Sequence, residues 1–365
     1  MIPANQDQVD DAWLTAALRR GGQIADDDRA NILLKAPLGE HSAFGGELFR
    51  MQYATTSGLT VSAVVKMPFP PGPTRDVHDV IGSYGRELAF YRHVAHGSSS
   101  APVRTPRPIV TESDPNSSDT ILIIEDLAPL VAADQRTGLS LANAASVVRG
   151  LAALHAWGWN NPVLDGLAET LPRMDSDRAL MVWSTFGEVC RIAWPAIGSR
   201  LADDIPAAVA RTCERFAELI PFFVAELSHP RTIIHGELRS DNLFIGDDGV
   251  PIFIDFQMAG QACGVFDVAY VVSQSMRTDV RRGHDEELVR AWWEGLRERG
   301  VTDYSWDTAW RQYRIATVWG LVYPMLVSTR WDVATAEGRD LLDGMMLRGA
   351  ACVDDLGAVG LLPGG

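Results

Sequence analysis

The chain has 365 residues, of which 47% are hydrophobic, enough for two domains with their own cores. Its formal charge of −15 argues against a nucleic-acid partner and against binding to an anionic membrane surface. The first residues carry acid in place of the basic and apolar regions of a signal peptide, and no apolar run is long enough to cross a bilayer. We therefore expect a cytoplasmic protein; its oligomeric state stays open.

The four cysteines are scattered along the chain without a Cys-x-x-Cys pair. They are Cys190, Cys213, Cys263 and Cys352. This spacing indicates neither a disulfide framework nor a zinc site, so we expect buried, reduced thiols.

The first third of the chain reads as β-structure with two helices. Periodic apolar residues predict helices over about 7–21 and 82–96, strand-like runs predict a hairpin over 47–54 and 59–67, and the proline-rich tract 68–76 predicts irregular structure. After a loop-rich segment, the apolar run 120–124 predicts a buried strand. These elements indicate a small β-rich domain.

The composition changes after Glu125-Asp126-Leu127. Helical patterns dominate from there, with long amphipathic segments over about 175–228 and 285–350, and ten of the eleven tryptophans follow this point. We therefore divide the chain into domains 1–125 and 126–365. The expected fold class is α+β, with a small β-rich N-terminal lobe and a larger, mostly helical C-terminal lobe.

Residues 231–257 read as strand, polar loop, strand, tight turn and strand. The polar loop is His235-Gly236-Glu237-Leu238-Arg239-Ser240-Asp241-Asn242, and the Asp-Gly step at 248–249 suits a hairpin turn. The hairpin should place Asn242 before one strand and Asp255 at the end of its partner. A carboxamide and a carboxylate at adjacent strand ends suit Mg²⁺, which takes few protein ligands besides phosphate oxygens and water.

Glu237 lies five positions before Asn242 and can point at the same place from the loop. Phosphoryl transfer needs a carboxylate that orients the attacking hydroxyl and accepts its proton, together with a metal-binding pair that holds the phosphates. These residue types in this order therefore indicate a phosphoryl-transfer site.

Six landmarks in the chain resemble the aminoglycoside-phosphotransferase and choline-kinase superfamily, closest to its ecdysteroid-kinase-like branch. They are Lys66 in Ser62-Ala-Val-Val-Lys66, Glu87 in Arg86-Glu-Leu-Ala-Phe-Tyr91, the hinge Ile123-Ile-Glu-Asp-Leu127, the polar loop, Ile254-Asp-Phe-Gln257, and Gly264-Val-Phe-Asp267-Val-Ala. The resemblance covers most of the chain. It implies a bilobal protein-kinase-like fold and a kinase that uses ATP and Mg²⁺.

The resemblance also implies roles for residues at matching positions in the nucleotide-binding lobe. Lys66 would contact the α- and β-phosphates, and Glu87 would pair with that lysine. Backbone groups of the hinge, with Glu125 and Leu127, would hold the adenine.

A glycine-containing stretch at 38–47 stands where a nucleotide loop is expected. It lacks the Gly-x-Gly-x-x-Gly pattern, and by itself it reads as an ordinary turn. Because it precedes the Lys66 hairpin, its backbone from Ser42 to Gly46, with Ser42 and Gly45 as the candidate residues, could cover phosphates.

Glu237 and Arg239 are the candidate catalytic residues, and Glu237 stands where the family has aspartate. Its extra methylene moves the carboxylate by roughly a bond length, and a displacement of about 1 Å can cost on the order of 100-fold in rate. Positioning and charge neutralisation dominate phosphoryl transfer, so glutamate can still serve. Arg239 would stabilise charge on the transferred phosphate; alternatively, it pairs with a surface acid.

Structural interpretations stand beside these functional ones. Lys66 could be a strand lysine that extends to the surface. His235 and Asp267 are expected to hold the loop by hydrogen bonds, and His155 is expected to be a packed core histidine.

The sequence thus predicts a kinase for a small hydroxylated substrate. The acceptor could be an amino sugar or aminoglycoside, a choline-like amine or a sterol-like alcohol. Only eleven residues separate Asp255 from Asp267, too few for the activation loop of a protein kinase. The alternative, favoured by Glu237, is a catalytically degenerate nucleotide-binding regulatory protein of the same fold.

Overall fold

The computed structural model describes residues 2–38, 46–96, 100–128 and 130–364. The chain forms two compact units. The first comprises Met1–Ser100, Thr105–Leu130 and Ile254–Met258, and the second comprises Ala101–Arg104, Val131–Phe253 and Ala259–Gly365. The segment 254–258 thus belongs to the first unit although it lies within the second unit's part of the sequence. A division of the chain at one position cannot describe this arrangement.

The first unit contains a five-stranded antiparallel sheet. Its strands are β1 (Ala30–Pro37), β2 (Glu47–Thr55), β3 (Thr60–Met67), β4 (Pro108–Ser113) and β5 (Thr120–Glu125). The strand order is β1-β2-β3-β5-β4. The predicted hairpin and the predicted buried strand are confirmed as β2–β3 and β5. The edge strand β1 was not predicted, because most of its residues are partly or fully exposed and follow no simple alternation.

Three α-helices accompany this sheet. They are α1 (Asp11–Arg20), α2 (Pro73–Ile81) and α3 (Ser83–Ala89), and α3 continues into a π-helix over Phe90–Ala95. The prediction of irregular structure over 68–76 is wrong from Pro73 onward. Proline lacks only an amide that the first turn of a helix does not use, so Pro73 can begin α2.

The core of the first unit lies between one face of the sheet and α1. Alternate residues of the strands point into it, and α1 covers them with its apolar side. Among its fully buried members are Leu14, Leu18, Phe49, Met51, Ala63, Val65, Ile121 and Ile123. This packing fixes which face of β3 is left for polar side chains.

Asp28, just before β1, joins that strand to the β2–β3 turn. Its carboxylate accepts hydrogen bonds from the hydroxyls of Thr56 and Ser57, each at 2.6 Å, and from the amide of Ser57 at 3.0 Å. The hydroxyls of Ser57 and Thr56 are the main reason why the pKa of Asp28 lies well below its ordinary value. The ionised form is therefore the one that the fold stabilises.

The second unit is mostly helical, with two small antiparallel strand pairs. The pairs are β6 (Thr232–Ile234) with β9 (Gly260–Ala262), and β7 (Leu243–Ile245) with β8 (Pro251–Phe253). Its α-helices are α4 (Leu141–Gly158), α5 (Asp177–Arg200), α6 (Ala207–Glu214), α7 (Phe216–Leu227), α8 (Val265–Ser275), α9 (Thr278–Arg281), α10 (Asp285–Glu298), α11 (Trp306–Trp319), α12 (Val322–Val327) and α13 (Ala336–Asp355). The predicted helical character of this part is confirmed. Among the described residues, no helix has both the length and the apolar character needed to cross a bilayer.

Aromatic residues fill the core of the second unit. Trp292 and Trp319 are fully buried, and the ring of Trp319 lies 5.1 Å from that of Trp183 and 5.6 Å from that of Phe223. These contacts indicate that the tryptophans named here serve packing. The four cysteines are buried free thiols, as predicted.

Replacing Asp28 with Asn is expected to lower the unfolding temperature at neutral pH, because an amide cannot accept all of these hydrogen bonds. A carboxyl group whose pKa is lowered by folding stabilises the protein above its unfolded pKa of about 3.9. That contribution is lost as the pH falls towards the lowered value. The difference in unfolding temperature between wild type and Asp28→Asn should therefore shrink below about pH 3.9.

The neighbouring exposed Asp27 provides the control, because Asp27→Asn makes the same chemical change without these contacts. A difference between wild type and Asp28→Asn that stays constant from about pH 5 to about pH 2 would contradict the assignment.

Candidate active site

In the first unit, the ammonium of Lys66 lies between two carboxylates. Val65 and Met67 are buried, so the side chain of Lys66 leaves β3 from the opposite face. Its Nζ is 2.7 Å from Oε1 of Glu87 on α3 and 2.8 Å from Oδ1 of Asp255. This distance confirms the predicted pairing of Lys66 with Glu87. The contact with Asp255 was not predicted from the sequence.

Burial and charge act together on this cluster. Burial alone would lower the pKa of Lys66, but the charges of Asp255 and Glu87 outweigh it and raise that pKa above its ordinary value. Burial raises the pKa of Glu87; the charge of Lys66 opposes this rise and that of Asp255 adds to it, and the net direction is upward. Lys66 is therefore a fixed positive charge at neutral pH.

The segment that carries Asp255 is held by contacts of the two residues that follow it. The backbone of Asp255 is left-handed, with φ of 66°, which costs a non-glycine residue about 1–2 kcal/mol. The ring of Phe256 stacks on that of Phe90 with 3.5 Å between their centroids, and the side chain of Gln257 hydrogen-bonds with Glu87. Packing and hydrogen bonding together maintain the unusual conformation of Asp255.

The hinge, Ile123 to Leu127, begins within β5 and extends two residues beyond it. The amide of Glu125 donates to the carbonyl of Arg107 at 2.9 Å, and the Glu125 carboxylate accepts from the Arg107 amide at 3.2 Å. The carboxylate of Asp126 accepts a hydrogen bond from Arg50 at 2.7 Å, a contact that no sequence motif predicts. Within the described part of the chain, the amide of Leu127 has no hydrogen-bond acceptor.

The other candidates for phosphate binding in this unit, Ser42 and Gly45, lie outside the described residues. The position that follows them, Gly46, has φ of 144°, and a Cβ there would lie 2.1 Å from the carbonyl oxygen of Met67. The chain therefore needs glycine where this stretch enters β2.

In the second unit, Asp267 on α8 holds the start of the polar loop. Its Oδ2 accepts from the amide of His235 at 2.7 Å, and its Oδ1 accepts from the amide of Gly236 at 2.9 Å. Gly236 has φ of 85°, a left-handed conformation that favours glycine. The prediction that Asp267 shapes this loop is confirmed.

Two histidines are also part of this anchor. Nδ1 of His155 accepts from the indole N–H of Trp292 at 2.9 Å, and Nε2 of His155 lies 3.1 Å from Asp267. An indole N–H can only donate, so His155 is neutral with its proton on Nε2, directed at Asp267. Nδ1 of His235 accepts from the amide of Glu237 at 3.4 Å. Both residues are buried, and both have the structural role predicted for them.

The polar loop brings three of the predicted site residues together. Nε of Arg239 is 3.9 Å from Oε1 of Glu237, and Nη2 of Arg239 is 4.0 Å from Oδ2 of Asp241. The side-chain nitrogen of Asn242 donates to the carbonyl of Glu237 at 2.8 Å. This bond leaves the carboxamide oxygen of Asn242 for a cation.

The hairpin after the loop pairs Leu243 with Phe253. Asn242 directly precedes this pair along the chain, and Asp255 follows it by two residues. The predicted strand over 251–256 is wrong beyond Phe253, because the left-handed turn at Asp255 and a short 3-10 helix over Phe256–Met258 end it.

Tyr323 on α12 is a loop contact that the sequence does not indicate. Its hydroxyl donates to the carbonyl of Gly236 at 2.5 Å, and its ring packs edge-on against Tyr270 with 4.5 Å between centroids. No motif surrounds Tyr323, and only the folded chain brings it to the loop.

Replacing Asp267 with Asn is expected to destabilise the protein by about 1–3 kcal/mol, because the amide nitrogen would face a backbone N–H that then lacks an acceptor. Urea denaturation measures this change. The exposed Asp279, which pairs with Arg277 at the surface, provides the control through Asp279→Asn. Equal stabilities of the two variants would contradict the role assigned to Asp267.

Comparison with family models finds a match to the phosphotransferase enzyme family over residues 43–314, more than half of the chain. A search of curated proteins found no match.

Solved structures share the fold of this chain. The ADP and spectinomycin complex of a spectinomycin phosphotransferase has 13% identity and a TM-score of 0.51, with 97% of this chain and 99% of that chain covered. An ethanolamine kinase from Plasmodium vivax has 12% identity and a TM-score of 0.51, with 95% and 89% covered. The GDP complex of an aminoglycoside 2′-phosphotransferase has 15% identity and a TM-score of 0.52, with 96% and 100% covered. At these identities the likeness establishes the fold alone.

Proposed function

The chain belongs to the phosphotransferase enzyme family, and we propose that it transfers the γ-phosphate of ATP to a hydroxyl group of a small organic molecule. The observation that carries this proposal is the ammonium of Lys66, 2.7 Å from Glu87 and 2.8 Å from Asp255. A partly buried cation held by two carboxylates is costly to build for stability alone. A phosphate chain is an anion that such a fixed charge would bind.

Each member of this cluster has a separate task in the proposal. Lys66 binds the α- and β-phosphates, and Glu87 fixes the direction of its side chain. Gln257 supports Glu87 by a hydrogen bond. The raised pKa of Lys66 keeps it charged at neutral pH, so its contact with phosphate requires no proton uptake.

Asn242 and Asp255 are the proposed ligands of Mg²⁺. A carboxamide oxygen and a carboxylate are hard oxygen donors of the kind that Mg²⁺ takes alongside phosphate oxygens, so the donor set fits. When bound, the ion neutralises charge on the phosphates. The hydrogen bond from Asn242 to the carbonyl of Glu237 orients its oxygen.

Glu237 is the proposed partner of the attacking hydroxyl. Its carboxylate is partly exposed, with 29% of the side chain accessible, so a substrate hydroxyl can reach it. Nε of Arg239 lies 3.9 Å from Oε1 of Glu237, which is an ionic rather than a hydrogen-bonding distance. The guanidinium would stabilise charge on the phosphate in transfer.

The adenine is assigned to the hinge, through the backbone of Glu125 and Leu127, and the phosphates also to the backbone at Ser42 and Gly45. The Leu127 amide supports the first assignment, because it has no acceptor among the described residues. For Ser42 and Gly45 the proposal rests on their place before the Lys66 hairpin.

For the acceptor, we infer a small hydroxylated molecule and keep three classes: amino sugar or aminoglycoside, choline-like amine, and sterol-like alcohol. The motif resemblance to the ecdysteroid-kinase-like branch favours the last. The proteins of this fold named above supply the first two in spectinomycin and ethanolamine. On α5, Trp183 and Trp194 are buried whereas Met181 is 66% exposed, so Met181 is the more accessible side chain for an acceptor contact.

ATP turnover with a panel of these acceptors tests the proposal. The wild type is expected to phosphorylate at least one of them, and Glu237→Gln should lower turnover by about 10²- to 10⁴-fold because the hydroxyl loses its base. Glu237→Asp moves the carboxylate by about a bond length and should lower turnover by roughly 10- to 100-fold. Asp255→Ala should abolish turnover, since it removes a metal ligand.

Glu298→Gln is the matched control, because this substitution makes the same chemical change as Glu237→Gln at an exposed position on α10. Nucleotide binding without turnover in both the wild type and Glu237→Asp would favour the degenerate regulatory protein. Full activity of Asp255→Ala would refute the metal assignment.

A further inference from the structure

Gln135 is a buried residue of the segment between β5 and α4, outside every recognised motif. Only 1% of its surface is exposed. Its side-chain oxygen accepts from the amide of Ser240 at 2.8 Å, and its own backbone amide donates to Oδ1 of Asp241 at 2.9 Å. Gln135 therefore binds two consecutive residues near the end of the polar loop, directly before Asn242.

The other groups of Gln135 are tied to helices of the same unit. Its side-chain nitrogen donates to the carbonyl of Gln274 at 2.7 Å, and its oxygen also accepts from the hydroxyl of Ser275 at 3.2 Å. The guanidinium of Arg348 on α13 donates to the carbonyl of Gln135 at 2.6 Å. The end of α8 and the side chain of Arg348 thus hold Gln135 in place.

The location of these contacts gives them functional weight. Ser240 and Asp241 are the only residues between Arg239 and Asn242, which carry two of the proposed roles. Asp267 fixes the loop at His235 and Gly236, and Asn242 bonds back to the carbonyl of Glu237. Gln135 supplies an anchor near the other end of the loop.

We propose that Gln135 is a positioning residue of this phosphotransferase, which holds Glu237, Arg239 and Asn242 in their working geometry through Ser240 and Asp241. The kinetic part of this proposal rests on the proposed function. Glutamine suits the task because one carboxamide both accepts from the loop and donates to α8. A displacement of about 1 Å in a phosphoryl-transfer site costs on the order of 100-fold in rate, so a loosened loop should slow the chemistry.

Two substitutions separate positioning from general stability. Gln135→Met keeps length and volume but loses both hydrogen-bonding groups. Gln135→Glu can still accept from Ser240, but it cannot donate to Gln274 and adds a negative charge near Asp241. The second variant retains the loop contact if the first does not fold.

Gln312 on α11 provides a matched control. It is also a buried glutamine, whose nitrogen donates to the carbonyl of His229 at 2.7 Å and whose oxygen accepts from the hydroxyl of Tyr304 at 2.7 Å. Its hydrogen bonds within the described part of the chain join it to Cys263, Tyr304, Glu226 and His229, none of which belongs to the polar loop. Gln312→Met therefore measures the general cost of losing a buried carboxamide.

Amide hydrogen exchange at Ser240 is the first readout, and it requires no substrate. Exchange should become at least about tenfold faster in Gln135→Met and stay at the wild-type rate in Gln312→Met, even where both variants lose similar thermal stability. Gln135→Glu should give intermediate exchange. Unchanged exchange at Ser240 in Gln135→Met would overturn the proposal.

Steady-state kinetics is the second readout. Gln135→Met should lower kcat by about 10- to 100-fold and leave KM for ATP within about twofold, because Lys66 and the hinge are not altered. If kcat falls as much in Gln312→Met as in Gln135→Met, Gln135 has only a structural role and the proposal is wrong. If the wild type phosphorylates no acceptor, the proposed function fails, and the exchange at Ser240 still decides whether Gln135 anchors the loop.

Discussion

The ion pairs of Lys66 with Glu87 and Asp255 are the interaction on which the first unit depends. Because a partly buried ammonium is stabilised by opposite charges beside it, these ion pairs join β3, α3 and the segment 254–258. Asp255 lies 189 residues after Lys66, and it adopts a left-handed backbone conformation to make this contact. The stacking of Phe256 on Phe90 helps to offset the backbone strain at Asp255.

The polar loop follows a different principle, since backbone hydrogen bonds rather than ion pairs determine its shape. Asp267 accepts from two successive amides at the start of the loop, and His155, itself bonded by Trp292, contacts the side chain of Asp267. Gln135 holds the loop near its end. These supports leave the carboxylate of Glu237 partly exposed. A hydrogen-bonded loop with an accessible carboxylate suits the positioning mechanism proposed for phosphoryl transfer, and it gives Glu237 a defined place.

Residues in short motifs could be predicted from the sequence, because their spacing from neighbouring residues of the same motif is recognisable in the sequence itself. Lys66 directly follows the apolar run 63–65, Glu87 lies in a helical pattern further along the chain, and Asp267 stands in a Gly-x-x-Asp segment. The contact of Gln135 with Asp241 and the ion pair of Arg50 with Asp126 could not be predicted. The residues of the first contact are 106 positions apart and those of the second 76, and neither separation follows a periodicity. Helix α2, predicted as irregular structure, shows why such predictions fail. A proline can either interrupt regular structure or begin a helix, and only packing decides between the two.

The central claim is that Lys66 binds the phosphates of ATP, and the chain is well suited to a direct test because Lys35 and Lys66 are its only lysines. Lys35 lies on β1 and donates to the carbonyl of Gln6. A lysine-reactive acyl phosphate of ATP, followed by mass spectrometry of both lysine peptides, measures which one meets the nucleotide. The account predicts acylation of Lys66 that excess ATP with Mg²⁺ suppresses, and no such protection at Lys35. Acylation of Lys66 that ATP does not slow, or equal protection of both lysines, would contradict it.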